Sequence, residues 1–156
     1  LGYAYEGADA SFELLARRIL GQARDYFSVE RFSVNVERRH NAVGELMSVS
    51  EAIVKVNVGG ETLISAAEGN GPVNALDQAL RKDLGKYQQF IEDLELVDYR
   101  VRVFQGGTDA VTRVLIEFAD SENSRWSTVG VSANIIDASF QALVDAINYK
   151  LMKAHA

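Results

Sequence analysis

The sequence predicts an α+β fold of two pseudo-symmetric βββα units with antiparallel strands, preceded by a connector helix. Two observations carry this. First, three stretches in which apolar and polar residues alternate are followed by a run with helical spacing, and the whole order then recurs. Second, aligning the two helical runs sets Ala75, Gln78, Ala79 and Leu80 on Ala138, Gln141, Ala142 and Leu143, the mark of an internal duplication. The boundaries that follow are a connector over 1–26 and a two-part domain over 27–156, with halves at about 27–90 and 95–156.

Phe12, Leu15, Ala16, Ile19 and Ala23 recur at helical spacing behind Asp9, a residue suited to a cap, and Glu13 and Arg17 form an i,i+4 pair on another side. This predicts a first helix running to Asp25 or Tyr26. Phe32, Val34 and Val36 then alternate with Ser33, Asn35 and Glu37 as a half-buried strand, and residues 42–50 read as a loop. Residues 52–58 and 62–67 flank Gly59-Gly60, a pair free to adopt positive φ, and predict an antiparallel hairpin. Pro72 opens a helix that presents Val73, Leu76, Leu80 and Leu84, and Gly85 is placed to end it. In the second half, 99–104 and 112–118 alternate around a turn at Gly106-Gly107, and Asp120 to Ser124 make a polar turn. A third strand runs from Trp126 to Val131, and Ile136, Phe140, Leu143, Ile147 and Leu151 mark the closing helix. Trp126 and Phe140 read as core residues.

With 47% hydrophobic residues and 156 positions the chain is large enough to bury a core. A net charge of -6 without a dense Lys/Arg stripe argues against nucleic acid, whose phosphates need clustered cations. The absence of cysteine suits a reducing cytoplasm, no apolar run reaches the length of a membrane span, and no signal sequence opens the chain. The first residue is Leu, so a piece of a longer protein is expected.

The segment 68–81, Glu-Gly-Asn-Gly-Pro-Val-Asn-Ala-Leu-Asp-Gln-Ala-Leu-Arg, holds the clearest chemical signal. Glycines followed by Pro at the first helical position leave the backbone N–H groups of a helix start open, which makes a seat for a carboxylate or phosphate. By the internal match Gly71-Pro72 corresponds to Asn134-Ile135, so a second helix start is expected at the same place in the other half, the two converging on a pseudo-twofold axis. No other constellation stands out. His40 and His155 show no metal-ligand spacing, the carboxylates have no distinguishing arrangement, and Ser132 and Ser139 lack a partnering histidine. No catalytic residue, metal or cofactor is therefore expected in this chain.

The Gly-Asn-Gly-Pro-Val-Asn-Ala-Leu-Asp segment at 69–77, Tyr99 with Arg-Val-Arg-Val behind it, Gly-Thr-Asp-Ala-Val-Thr-Arg-Val at 107–114 and Trp-Ser-Thr-Val-Gly-Val-Ser-Ala-Asn-Ile-Ile-Asp-Ala-Ser at 126–139 resemble the C-terminal regulatory domain of the 2-isopropylmalate and citramalate synthase family. The opening Gly-Tyr-Ala-Tyr-Glu-Gly-Ala-Asp resembles the connector that precedes it, and the 107–117 version is closer to the citramalate synthase branch. The resemblance implies a parent enzyme that condenses acetyl-CoA with a 2-oxo acid in a metal-dependent barrel absent from this chain. It implies for this domain feedback inhibition by isoleucine or leucine and a homodimer, with the catalytic domain of the parent as a further partner. Carried over position by position, the effector site comprises Asn70, Gly71 and Val73 at the first helix start, Leu96, Tyr99, Val103 and Ala110 as an apolar wall, and Asn134 and Ile135 at the second helix start. The competing expectations are a 2-isopropylmalate synthase domain that binds leucine, a structural dimerisation module, and a small enzyme using an acidic side chain.

Overall fold

In a computed structural model of the chain, residues 9–22, 25–106 and 109–156 are described. The element order is α1 (Asp9–Ile19), β1 (Ser28–His40), β2 (Leu46–Val58), β3 (Glu61–Gly69), α2 (Pro72–Lys82), a 3-10 turn (Gly85–Phe90), β4 (Glu95–Gly106), β5 (Asp109–Ala119), β6 (Arg125–Ser132) and α3 (Ile135–Lys153). Two compact units result. One is Tyr26–Gln89, and the other is Phe90–Ala156 together with the described residues up to Asp25.

In the first unit β1, β2 and β3 form an antiparallel sheet in that order. Ala52, Val54, Val56 and Val58 point to one face and are buried with Ala75, Leu76, Ala79 and Leu80 of α2. The β2–β3 turn has Gly59 at φ 58° and Gly60 at φ 85°, the left-handed pair that a two-residue hairpin requires. Two expectations need correction. Residues 46–50 are strand rather than loop, because they pair with 36–40 of β1 although most of these side chains are exposed; the turn is only Asn41 to Glu45, held by Asn41 Oδ1, which accepts from Val43 N and Glu45 N. The second helix ends at Lys82 and not at Gly85, because Asp83 is extended and the Gln88 side chain closes the end, donating to Arg81 O at 2.7 Å and accepting from Leu84 N at 2.9 Å.

In the second unit β4, β5 and β6 form the matching sheet, with Val114, Ile116 and Phe118 buried together with Ala138, Leu143 and Ile147 of α3. The Asp120–Ser124 turn forms as expected, Asp120 Oδ1 accepting from Glu122 N and Ser124 N. The expected turn at Gly106-Gly107 falls partly on residues 107–108, outside the described residues.

The first helix is shorter than its periodicity predicts, and a different face of it is buried. Gly21 at φ 70° ends it in a Schellman arrangement, Gln22 N donating to Arg17 O and Gly21 N to Arg18 O. Ala10, Ser11 and Leu14 are buried, whereas Phe12, Leu15 and Ile19 are exposed. The reason lies in β6, an edge strand whose outward amides need acceptors. Asp9 Oδ1 accepts from Ser127 N, Ser11 Oγ from Val129 N, and Gln141 Oε1 from Val131 N, so three alternate amides along the edge are satisfied by side chains. Arg18 to Asp145 at 3.3 Å and Lys153 to Glu13 at 3.4 Å add surface ion pairs between α1 and α3.

Candidate functional site

The first unit places the Gly-Asn-Gly-Pro segment where β3 turns into α2. Gly69 is required by packing, since a Cβ there would come within 2.5 Å of Asn74 Oδ1 and 2.6 Å of Ala75 N. Asn70 N donates to Asn74 Oδ1 at 3.3 Å, and the same oxygen accepts from Gln78 Nε2, which fixes the loop against the first helical turn. Gly71 is the N-cap residue and differs from Gly69 in every respect. Its φ of -158° is extended backbone open to any residue, and a Cβ on it would meet nothing within 4 Å. Neither strain nor crowding calls for glycine there. No side chain caps the helix, and Pro72 follows, so the amides of Val73 and Asn74 face outward from a positive helix end.

The second unit uses the corresponding position differently. Asn134 is the N-cap of α3, and its Oδ1 accepts from Ile136 N at 2.8 Å and Asp137 N at 3.2 Å. The second helix start is thus closed by its own side chain; the Asn134 N–H donates to Ser132 Oγ at 3.1 Å and its carbonyl accepts from Ala138 N at 3.0 Å, which leaves the side-chain amide nitrogen as the group Asn134 offers a ligand.

The four wall residues share one face of the second sheet, which their spacing alone does not predict. Leu96 and Tyr99 are three apart and belong on opposite faces of a regular strand. A bulge between Leu96 and Asp98 shifts the register, so that Leu96 pairs with Phe118 and Tyr99 with Ile116, both buried on the α3 side. Val103 and Ala110 fall on the same side, by pairing with Thr112 and Gln105 respectively. The Tyr99 hydroxyl lies 3.2 Å from Ser139 Oγ, which donates to Ile135 O. Beyond that anchor the face is uncovered: Val103 is 55% exposed and Ile135 42%.

The internal match extends to hydrogen bonds. Gln78 donates to Asn74 and Gln141 to Asp137, each pair one turn apart at the same place in its helix. Residues 6–151 match the family model of the LeuA allosteric (dimerisation) domain. The chain belongs to this family. Among relatives of this LeuA-type domain, the (R)-citramalate synthase of Geobacter sulfurreducens is 54% identical over 155 residues, covering 98% of this chain and 29% of that protein. The (R)-citramalate synthase of Synechocystis is 47% identical, covering 96% and 28%, and a probable 2-isopropylmalate synthase of Methanosarcina mazei is 30% identical, covering 90% and 25%. The chain therefore spans less than a third of the length of these relatives.

Two features of the LeuA-type domain escaped sequence reasoning. Asp77 is buried on α2 beside Arg81, at 2.8 Å; burial pushes its carboxyl above the usual range, and the Arg81 charge and hydrogen bond only partly oppose this. Its position three residues before Leu80 and four after Val73, in line with the apolar stripe of the helix, was the available signal. The other is a cluster in the second unit, where Lys150 contacts Asp120 at 2.9 Å and Asp93 at 3.4 Å, and Asp93 also accepts from Ser121 Oγ at 2.8 Å. These residues are far apart in sequence and carry no common pattern. Among the described residues no group of three or more His, Cys, Asp or Glu could hold a metal ion, and no helix is long and apolar enough to cross a membrane.

Proposed function

We propose that this chain is the effector-sensing and dimer-forming part of a citramalate synthase, and that its effector is a branched-chain amino acid, isoleucine before leucine. The single observation that carries the effector reading is Gly71. Its backbone and surroundings accept a side chain, its counterpart Asn134 has one that caps the helix, and yet this start is left bare with Pro72 behind it. A bare helix start favours an anion, and an amino-acid carboxylate fits. In the second unit the uncovered strip of Val103, Ala110 and Ile135 beside Tyr99 offers aliphatic surface of the kind that a branched side chain buries, a contribution of about 2 to 3 kcal/mol. Asn70 and Val73 flank the bare start, and Leu96 and Asn134 flank the strip. The identities to (R)-citramalate synthases support isoleucine by branch, and the parent condensation of acetyl-CoA with a 2-oxo acid belongs to the part of the protein outside this chain.

A ligand that binds only the folded form raises the melting temperature, by an amount equivalent to about 2.7 kcal/mol at a hundredfold excess over Kd. Screening the purified chain against all the amino acids is expected to give an upward shift of several degrees with isoleucine, a smaller one with leucine, and none with charged amino acids. A larger shift with leucine would favour the 2-isopropylmalate synthase branch. No shift with any amino acid would leave a structural dimerisation module.

Gly71→Asp supplies the missing cap and sets a carboxylate at the mouth of the seat. Because aspartate is a favoured N-cap and the site has room, folding stability is expected to stay the same or rise by a few tenths of a kcal/mol. Calorimetry is expected to show isoleucine affinity at least tenfold weaker. An unchanged affinity would remove the α2 start from the site.

A further inference from the structure

The second copy implied by a dimerisation domain has a candidate contact surface in the faces of the two sheets turned away from α2 and α3. In the first unit Ala52, Val54 and Val56 are buried on the α2 side, so the residues between them form the opposite face. Counting from the bulge in β1, the register sets Arg31 opposite Lys55, then Ser33 opposite Ile53, then Asn35 opposite Glu51, which is opposite Glu68 on β3. In the second unit, counting from the equivalent bulge in β4, it sets Asp98 opposite Glu117, then Arg100 opposite Leu115, then Arg102 opposite Arg113; Ser127 and Val129, on the β6 part of this face, are already buried, so the surface it offers is that of β4 and β5. In the first and third rows the signs are reversed. The first row is basic in one sheet and acidic in the other, the third row is acidic in one and basic in the other, and an apolar residue, Ile53 or Leu115, lies between them.

Like charges directly across a strand pair repel, so the first and third rows cost stability in an isolated chain. The first rows are relieved by neighbours, Lys55 by Glu30 at 3.2 Å, Asp98 by Arg100 at 2.8 Å and Glu117 by Arg125 at 3.2 Å. The third rows are not so relieved: among the described residues Glu51, Glu68, Arg102 and Arg113 form no ion pair, and Arg113 rests over the Phe104 ring at 4.9 Å. Glu51, Glu68 and Arg102 are exposed, and Ile53 is 36% exposed.

We propose that the outer face of the first sheet of one copy packs on the outer face of the second sheet of another, the first and third rows each meeting a sign-reversed counterpart. This rests on the dimer reading given above. Turned over about an axis along the strands, Arg31 and Lys55 meet the partner's Asp98 and Glu117, Glu51 and Glu68 meet the partner's Arg102 and Arg113, and Ile53 meets the partner's Leu115. Turned about an axis across the strands, like meets like. Pairing of either face with itself leaves unexplained why two duplicated sheets carry opposite signs in the same rows. Electrostatic matching of this kind fixes register and suppresses wrong pairings, and a twofold dimer uses the contact twice.

The test reverses the third row on one sheet at a time. Glu51→Lys with Glu68→Lys makes both third rows basic, and Arg102→Glu with Arg113→Glu makes both acidic. Sedimentation of each variant, with its fold checked by circular dichroism, is expected to show a dimer dissociation constant at least tenfold above that of the wild-type chain. An equimolar mixture of the two is expected to restore a dimer of near wild-type strength, since both contacts then join opposite signs; unfolded variants cannot give that result. The proposal is overturned if either variant alone dimerises like the wild type, or if the two folded variants stay monomeric when mixed. A wild-type chain that is itself monomeric removes the dimer reading, whereas a dimer indifferent to these charges removes only the face assignment.

Discussion

Replacing Gly130 with alanine is expected to cost about 3 kcal/mol or more of folding stability, the upper part of the range for overpacked sites. Gly130 lies on β6 where α3 crosses closest. A Cβ there would overlap the Ala138 carbonyl oxygen and stand 2.8 Å from the Ala138 carbonyl carbon and 3.1 Å from Ala142 N. These are backbone atoms of a helix, so no rotamer change relieves the clash and α3 must move as a body. The movement has further costs, because the strand and helix are joined at successive turns. Thr128 Oγ1 donates to Ala142 O at 2.7 Å, and Trp126 Nε1 donates to Ala146 O at 3.3 Å. Thr128 is fully buried, and displacement would leave its hydroxyl without that acceptor. Denaturant unfolding of Gly130→Ala should show a lower midpoint with an unchanged slope if the loss is one of stability. Gly71→Ala, whose Cβ meets open space, is the control and should cost under about 1 kcal/mol. Equal losses in the two variants would mean that α3 does not lie this close to β6.

Lys150→Met is expected to cost about 3 kcal/mol at neutral pH, the lower end of the range for breaking a buried charge pair. Lys150 is 12% exposed and Asp120 6% at their side chains, so the carboxylate left behind cannot be fully hydrated. The two backbone amides that Asp120 keeps, from Glu122 and Ser124, place the loss at that lower end. The pH dependence identifies the cause. Burial pushes the Asp120 carboxyl up, but the Lys150 hydrogen bond, the Ser124 and Glu122 amides and the Lys150 charge together outweigh it and hold the group below its ordinary value of 3.8. Asp93 is likewise held below 3.8, burial being outweighed by the Ser121 hydroxyl and amide and by Lys150. For a carboxyl depressed in the folded state, the stabilisation is complete above 3.8 and disappears as pH falls through the lower folded value. Burial lowers Lys150, but its two aspartates raise it above 10.5 overall, so its share is complete below 10.5 and is lost as pH rises through the folded value. The gap between wild type and Lys150→Met should therefore be constant from about pH 5 to pH 9 and shrink below 3.8 as the partners protonate. Asp77 acts in the opposite sense, since its folded value is raised: protonation as pH falls towards 3.8 relieves a buried charge in both proteins. A difference between the two that is the same at pH 3 and pH 7 would assign the loss to packing rather than to charge.

The parts of this molecule that were legible in the sequence are those governed by neighbours. Gly59-Gly60 names its own turn, because two consecutive positive φ values favour glycine. Pro72 names the first residue of α2, and the match of Ala75 and Ala79 with Ala138 and Ala142 is reproduced as equal burial on the two helices. The misreadings at residues 46–50 and at Gly85 have one origin. An exposed strand such as 46–50 carries little apolar alternation and is held by the backbone of β1, and the end of α2 is set by Gln88, several residues beyond Gly85's signal.

By itself the sequence determined the order of the elements, the duplication and the bare start of α2, since each follows from periodicity or from the geometry of Gly and Pro over a few residues. Only the tertiary structure decided which face of α1 is buried, that Asn134 closes the start of α3, and that Leu96 joins Tyr99, Val103 and Ala110 on one side of the second sheet. The acceptors that Ser127 and Val129 need lie on a helix more than a hundred residues earlier, and one bulge residue exchanges the faces of everything beyond it. Hydrogen bonds and register of that range leave no periodic trace in the chain, because the groups that satisfy each other become neighbours only when it folds.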